Sequence, residues 1–138
     1  MFGKILASIR SHVRQAGDNA VVIRHLLDRE WSLIFDETFG SGTTELLDLA
    51  GGDLFLGRMH VFCKNTHATD ICAFQIRFDP DSGTDRRYFY TEVPAGGVYT
   101  ETIYFMEHEA ILEAGDIEAV VVGGTGSGVA ILYGFDDT

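Results

Sequence analysis

The chain has 138 residues, a single domain's length, and its 46% hydrophobic and 22% charged residues are typical of a globular protein rather than a disordered one. Its 21 acidic and 10 basic side chains give a formal net charge of −11. That charge argues against nucleic acid or an anionic membrane as a partner, because both are polyanions. No apolar run has the length of a signal peptide core or a spanning helix, so we expect synthesis in the cytoplasm and no membrane partner.

Residues 1–30 are predicted to form an N-terminal helical arm. Its apolar side chains recur at spacings of three and four, the pattern of an amphipathic helix, at Phe2, Ile5, Leu6, Ile9 and Val13. Residues 1–31 contain five basic and three acidic side chains, whereas residues 32–138 contain five basic and 18 acidic ones. A mildly basic arm therefore precedes a strongly acidic body, and we interpret the apolar stripe of the arm as an assembly interface.

The body, residues 31–138, is predicted to be an antiparallel β-sandwich of jelly-roll type. Short runs rich in β-branched and aromatic residues alternate with Gly, Asp and Asn turns. The predicted strands are 31–39, 44–49, 54–64, 71–79, 87–93, 99–106, 117–123 and 128–135. Residues 107–114 are the one stretch of the body where a helix is considered.

Alternation predicts which residues of two strands are buried together. Met59, Val61 and Cys63 share one side of their strand, with His60 on the other, and Cys72 begins a similar apolar set. A hairpin folded about residues 67 and 68 would place Cys63 opposite Cys72. Packed thiols are the favoured interpretation and a cross-strand disulfide is the alternative; a zinc site is disfavoured because His60 points away from Cys63.

Two loops resemble ligand-binding motifs. The glycine-rich segment 123–128 is followed by a strand instead of a helix, so we interpret it as a hairpin turn and not as a phosphate-binding loop. Asp79, Asp81 and Asp85 have spacings used by calcium loops, but the expected bidentate Glu is missing from its position, and an acidic turn is favoured. We therefore predict no cofactor and no metal.

Several predicted strands are apolar on both sides, including 88–90, 103–106 and 120–122. A sandwich strand needs only one buried side, so the arm or another subunit is expected to cover the second. The candidate strand-face interface residues are Tyr88, Tyr90, Tyr104 and Met106. Tyrosines on strands also form carbohydrate-stacking surfaces, which gives an alternative interpretation.

The order of motifs from residue 58 to the end resembles small β-sandwich structural proteins of tailed bacteriophages. The matching pieces are a strand ending in Asn65-Thr66, a Pro94-Ala95-Gly96 turn, a Leu112-Glu113-Ala114-Gly115-Asp116 turn and a last strand ending in Tyr133-Gly134. The resemblance covers about 80 residues, excludes the arm and provides no active site to transfer. It implies a β-sandwich in a virion, in contact with copies of itself and with other virion proteins such as the major capsid protein.

We find no constellation of residues typical of catalysis, and the sequence therefore predicts a non-enzymatic virion structural protein. A capsid decoration (cement) protein is the first choice. A neck or tail accessory protein of the same fold is the nearest alternative, and a carbohydrate-binding β-sandwich module is the alternative from another functional class.

Overall fold

A computed structural model describes residues 31–105 and 109–136 of the chain. The predicted arm, residues 1–30, and Met106 lie outside these ranges. The described part is mainly β and antiparallel, as predicted, and contains no helix, so no helix there could span a membrane. Its strands are β1 (Ser32–Phe39), β2 (Gly42–Leu49), β3 (Leu54–Asn65), β4 (Cys72–Pro80), β5 (Arg86–Val93), β6 (Val98–Tyr104), β7 (Ala110–Ile111), β8 (Gly115–Val122) and β9 (Gly126–Asp136).

The strands form two sheets. Sheet I has the order β1-β9-β3-β6, with β7 also paired to β3, and sheet II has the order β2-β8-β4-β5. The pairs are nested from the ends of the body inward, since β1 pairs with β9, β2 with β8, β3 with β6 and β4 with β5. A long hairpin rolled into two facing sheets in this way is a jelly roll. The helix considered for 107–114 is wrong in its described part, because Ala110–Ile111 is a strand paired with Leu54 and Phe55.

The core lies between the two sheets and is built from every second residue of the long strands. The alternation predicted for β3 and β4 is confirmed, because the expected residues are almost fully buried and their neighbours are not. Each large apolar side chain buried in this way stabilises the fold by about 1.5–3 kcal/mol. The buried residues of these two strands include Met59, Val61, Cys63, Cys72, Phe74, Ile76 and Phe78.

The hairpin predicted between β3 and β4 is wrong. β3 pairs with β6, β7 and β9 in sheet I, and β4 pairs with β5 and β8 in sheet II. Cys63 and Cys72 are therefore not cross-strand neighbours, although both point into the same core. Alternation identifies the buried side of a strand but does not identify its neighbours, which explains why one prediction succeeded and the other failed.

Asn65 connects three turns at one end of the sandwich. Its Nδ2 group donates hydrogen bonds to the carbonyl oxygens of Asp70, at 2.7 Å, and Val93, at 3.0 Å. Its Oδ1 accepts hydrogen bonds from the backbone N–H groups of His67 and Thr125, both at 3.1 Å. The buried amide thus uses its full capacity of two donated and two accepted bonds. Side-chain bonding to the backbone of this kind is typical of asparagine at turns.

The glycine-rich segment 123–128 links the two sheets. Gly123 and Gly124 have φ values of 76° and 51°, a region that favours glycine. A Cβ atom on Gly126 would lie 2.5 Å from the Sγ atom of Cys72, so close packing requires glycine there as well. The turn interpretation is confirmed, but the segment is not a hairpin, because β8 and β9 belong to different sheets.

Candidate assembly surface

The outward side of sheet I forms a surface that we call the apolar face. Register places its side chains in rows across the sheet; Leu33 lies opposite Tyr133, and Tyr104 lies opposite Arg58. Tyr104 is 69% exposed, and Leu33 is 55% exposed. The large apolar and aromatic side chains of the face include Leu33, Phe62, Val98, Tyr104, Val129, Ile131 and Tyr133.

The pattern of β9 shows why this side differs from an ordinary solvated sheet surface. Ala130 and Leu132 point into the core, whereas Val129, Ile131 and Tyr133 are only partly buried on the outer side. An antiparallel sheet that faces water usually alternates apolar inward with polar outward residues, but in β9 both sides are apolar. The neighbouring strands also place charged side chains on this face, among them Asp36, Arg58 and Lys64. An apolar strip of this kind on the outer side of a sheet is typical of an interaction site.

Polar groups on the apolar face are arranged around Tyr133. The guanidinium carbon of Arg58 lies 4.7 Å from the centroid of that ring, a cation–π contact. The His60 ring makes an edge contact with Tyr133 at 6.1 Å, and its Nδ1 forms a 2.8 Å hydrogen bond with Thr102 Oγ1. Beside them lies a shallow depression of about 300 Å³, whose lining includes His60, Phe62, Thr100, Thr102, Val129 and Ile131.

The outward side of sheet II has the opposite character, and we call it the charged face. Its outward side chains include Glu45, Asp48, Arg77, Asp79, Arg87, Asp116 and Glu118. Arg77 donates to Glu118 Oε1 from Nε at 2.7 Å and from Nη2 at 2.6 Å, and its Nη1 lies 3.1 Å from Asp85 Oδ2. The hydrogen bond to Glu118 is the main reason that the pKa of Arg77 is raised. Since Glu118 is only 8% exposed, this pair neutralises a largely buried carboxylate.

Three carboxylates of the charged face are crowded together. The side-chain oxygens of Glu45, Asp48 and Asp116 lie within 4.8 Å of one another. The negative charge of Asp116 raises the pKa of Glu45, and burial followed by the charge of Asp48 raises the pKa of Asp116. Such clusters are common on acidic proteins, and a cluster alone does not establish a metal site.

The loop with calcium-like spacing is arranged differently from a calcium site. Among the described residues, Asp79, Asp81 and Asp85 do not form a group of converging metal ligands. Asp85 instead forms an ion pair with Arg77, and the hydrogen bond that protonated Asp79 donates to the Asp85 carboxylate raises the pKa of Asp79. The segment is an acidic turn between β4 and β5.

The strand-face residues named from the sequence do not share one surface. Tyr104 lies on the apolar face, whereas Tyr90 lies on the charged face, where its hydroxyl donates to Glu92 Oε1 at 2.8 Å. Tyr88 lies in a bulge of β5, and burial raises the pKa of its phenol to about 12. Met106 lies outside the described residues, as do the arm positions 2, 5, 6, 9 and 13. Their interface roles stay predictions.

Sequence reasoning missed much of the apolar face. The alternation of β3 did place Phe62 on the outer side, which was a usable signal. Leu33 had no such signal, because a bulge at Ile34 shifts the register of β1 against β9. The sequence from residue 129 to 133 is an unbroken apolar run, and such a run does not show that Val129, Ile131 and Tyr133 are the residues that face outward.

Both cysteines are buried free thiols. Burial, followed by the nearby Cys72 sulfur, raises the pKa of Cys63 to about 12, and burial raises the pKa of Cys72. Such thiols are protonated at neutral pH and behave as small apolar side chains. His60 is on the opposite side of β3 from Cys63, as predicted, so the two cannot ligate one metal ion.

Comparison with known proteins identifies no family. No protein-family model and no curated protein matches the chain. A chain of the acidic stable capsid structure of Helicobacter pylori bacteriophage KHP30 is 14% identical, with a TM-score of 0.45 over 78% of this chain and 89% of that one. The crystal structure of PirA is 15% identical, with a TM-score of 0.41 over 79% of this chain and 99% of that one.

Proposed function

We propose that this chain is a non-enzymatic structural protein of a tailed-phage virion, and that it binds the capsid as a decoration (cement) protein. The observation that supports a role in assembly is the apolar face. Tyr104, Val98 and Leu33 are each more than half exposed there, together with the partly buried side chains of β9. Covering such a surface with a partner removes apolar area from water, which is the main source of association free energy.

The dimensions of the apolar face suggest that a second element contributes to the contact. Four strands spaced about 4.8 Å apart and about seven residues long span about 19 Å by 24 Å. A stable interface buries about 800 Å² on each partner, so the face supplies a little over half of it. The predicted arm, with Phe2, Ile5 and Ile9 on one stripe, is the element that we expect to supply the remainder.

The motifs that resemble phage proteins serve the sandwich itself. The Pro94–Gly97 turn is closed by a 2.9 Å hydrogen bond from Gly97 N to Pro94 O, and Gly96 has a φ of 72°. A Cβ atom on Gly115 would lie 2.4 Å from the carbonyl oxygen of Asp79. The resemblance therefore bears on the fold and on the virion context, while the apolar face bears on assembly.

The test is the number of copies of this chain in purified virions of the phage that encodes it, measured by quantitative mass spectrometry against the major capsid protein. A decoration protein is present at hundreds of copies, following the symmetry of the head. About six or twelve copies would indicate a neck or tail position and overturn the decoration assignment. Absence from the virion would overturn the proposal altogether.

A deletion tests the role of the arm. Removing residues 1–17 should abolish incorporation into particles and leave the thermal unfolding of the body unchanged. Normal incorporation of the truncated chain would contradict an anchoring role for Phe2, Ile5, Leu6, Ile9 and Val13.

Carbohydrate binding is the second candidate, and one observation favours it. The depression on the apolar face combines the ring of Phe62 with the polar groups of His60 and Thr102, and sugars are bound by such mixtures of aromatic and hydrogen-bonding side chains. Tyr104 is also available, whereas the hydroxyl of Tyr99 is engaged by Glu101 at 2.7 Å. Glycan-array binding that is lost on Phe62→Ala or Tyr104→Ala would support this function in place of the first.

A further inference from the structure

Strand β6 is an exposed edge of sheet I. It occupies the end of the order β1-β9-β3-β6, and among the described residues it pairs only with β3. Six of its seven residues are exposed, with Val98 at 61% and Tyr104 at 69%. An unpaired edge presents a row of backbone N–H and C=O groups that can accept another strand.

Apart from the two-residue β7, the other three edge strands of the sandwich have features that discourage pairing, and β6 does not. β1, β2 and β5 each contain a bulge, at Ile34, Leu46 and Tyr88 respectively, whereas the register between β3 and β6 is unbroken. Those strands also have at least two charged side chains each, but Glu101 is the one charged residue of β6. Bulges and charges are the common protections of sheet edges, so β6 is the unprotected edge of the described part.

The backbone groups available on β6 follow from its pairing with β3. Asn65 N donates to Gly97 O at 3.0 Å and Phe105 N donates to Gly57 O at 2.9 Å, one at each end of the β3–β6 pair. In an antiparallel pair the hydrogen-bonded residues alternate, so odd-numbered residues of β6 face β3. The N–H and C=O groups of Val98, Thr100, Thr102 and Tyr104 therefore point to the open side.

We propose that β6 pairs antiparallel with β6 of a second copy of this chain, in a register that places Thr100 opposite Thr100. This register forms hydrogen-bonded pairs between Thr100 and its copy and between Val98 and Thr102. Opposite residues lie on the same side of a sheet, so a two-fold axis joins the two apolar faces into one continuous surface. The contact goes beyond the proposed virion role and does not depend on it.

Charge favours this register over the one centred on Glu101, the middle residue of β6. Centring on Thr100 places Glu101 opposite Tyr99, whose hydroxyl already donates to a Glu101 carboxylate within its own chain at 2.7 Å. Centring on Glu101 would instead place two carboxylates directly opposite each other at a non-hydrogen-bonded position, where side chains are closest. Like charges in that position are destabilising.

Cysteine cross-linking of the purified full-length chain tests both contact and register. In the proposed pair, the two Cα atoms at position 100 lie about 5.5 Å apart, which a disulfide can bridge, and those at position 101 lie about 8 Å apart, which it cannot. Thr100→Cys should therefore form a covalent dimer about tenfold faster than Thr38→Cys, a matched exposed threonine on the bulged β1 edge. The unmodified chain controls for Cys63 and Cys72, which are buried.

The outcomes are distinct. Cross-linking of Thr100→Cys no faster than that of Thr38→Cys would overturn the β6 contact, and faster cross-linking of Glu101→Cys would overturn the register. These results come from purified protein, so they are independent of the copy number in virions and separate a failure of this contact from a failure of the proposed function.

A charge substitution provides a second readout by sedimentation equilibrium. Thr100→Lys places two ammonium groups opposite each other, and the dimer should dissociate about tenfold more readily than the dimer of Thr38→Lys. Both variants change the net charge equally, so general repulsion between acidic chains does not explain a difference. Equal dissociation constants would contradict the proposal.

Discussion

The two outer faces of the sandwich differ in how their side chains are satisfied. On the charged face, Arg77 bonds Glu118 and Asp85, and the guanidinium of Arg87 stacks over the ring of Tyr90 at 4.7 Å. On the apolar face, Leu33 and Tyr104 remain more than half exposed. The charged face is held mainly by ion pairs and ring stacking within the chain, with Val122 as its exposed aliphatic side chain, while the apolar face has a wider apolar area that the described residues do not cover.

This difference separates residues that stabilise the fold from residues available for assembly. A buried carboxylate such as Glu118 is costly unless a cation accompanies it, so its partner contributes to the free energy of unfolding. An exposed tyrosine such as Tyr104 contributes little to folding, because water reaches it in both states. Substitutions on the charged face should therefore change stability, and substitutions on the apolar face should change association.

The largest expected effect on stability is that of Arg77→Met. Removing the guanidinium leaves Glu118, 8% exposed, without its cation, and the free energy of unfolding should fall by about 2–3 kcal/mol. Urea denaturation at pH 7 measures this loss. The double variant Arg77→Met with Glu118→Gln should recover part of the lost free energy. If Arg77→Met alone is as stable as the unmodified chain, the role of this pair is contradicted.

The next effect is pH-dependent and comes from the crowded carboxylates of the charged face. The pKa values of Glu45 and Asp116 are raised in the folded state, so the folded chain binds protons more readily than the unfolded one. Their contribution to stability is therefore greatest below the unfolded-state pKa and is lost as pH rises through the folded-state pKa.

Asp116→Asn tests this assignment. The variant should be more thermally stable than the unmodified chain at pH 7, and the gain should shrink at pH 4, where the carboxylates are becoming protonated. Asp36 is exposed on the apolar face opposite Ile131. Asp36→Asn removes the same charge there and should leave the unfolding temperature unchanged. A gain from Asp116→Asn that is equal at both pH values would contradict the electrostatic explanation.

The smallest effect is expected from Arg58→Met, which matches the Arg77 substitution on the opposite face. Arg58 is exposed and its main contact is the ring of Tyr133, so its removal should cost less than about 1 kcal/mol in urea denaturation. A loss as large as that from Arg77→Met would show that the two faces do not differ as described.

Local patterns in the sequence predicted the strands and the core with good accuracy. All eight predicted strands are present. The glycines that marked their ends in the sequence, around residues 51, 96 and 123, lie in turns with φ values that other residues avoid. The buried sides of β3 and β4 were also correct. These features depend on neighbours in sequence, and the sequence displays them directly.

Features that depend on distant neighbours were not predictable in the same way. The pairing of β3 with β9 joins residues such as Cys63 and Gly128, which are far apart in the chain, and no local pattern specifies it. The predicted strand-face interface combined Tyr90 and Tyr104, which lie on opposite faces, for the same reason, since the sheet to which each strand belongs was unknown. The bulge at Ile34 that turns Leu33 outward is a further property of the assembled sheet.

The most direct test of the account compares Tyr104→Asp with Tyr90→Asp in virions, because the two tyrosines occupy opposite faces. We expect Tyr104→Asp to lower the copies per particle by about tenfold or more, because it places a charge in an apolar contact, and Tyr90→Asp to leave them unchanged. Thermal unfolding of each purified variant, which should show that both are folded at the temperature of the virion assay, is the control for folding. Equal copy numbers for both variants, or a loss confined to Tyr90→Asp, would contradict the assignment of the apolar face as the assembly surface.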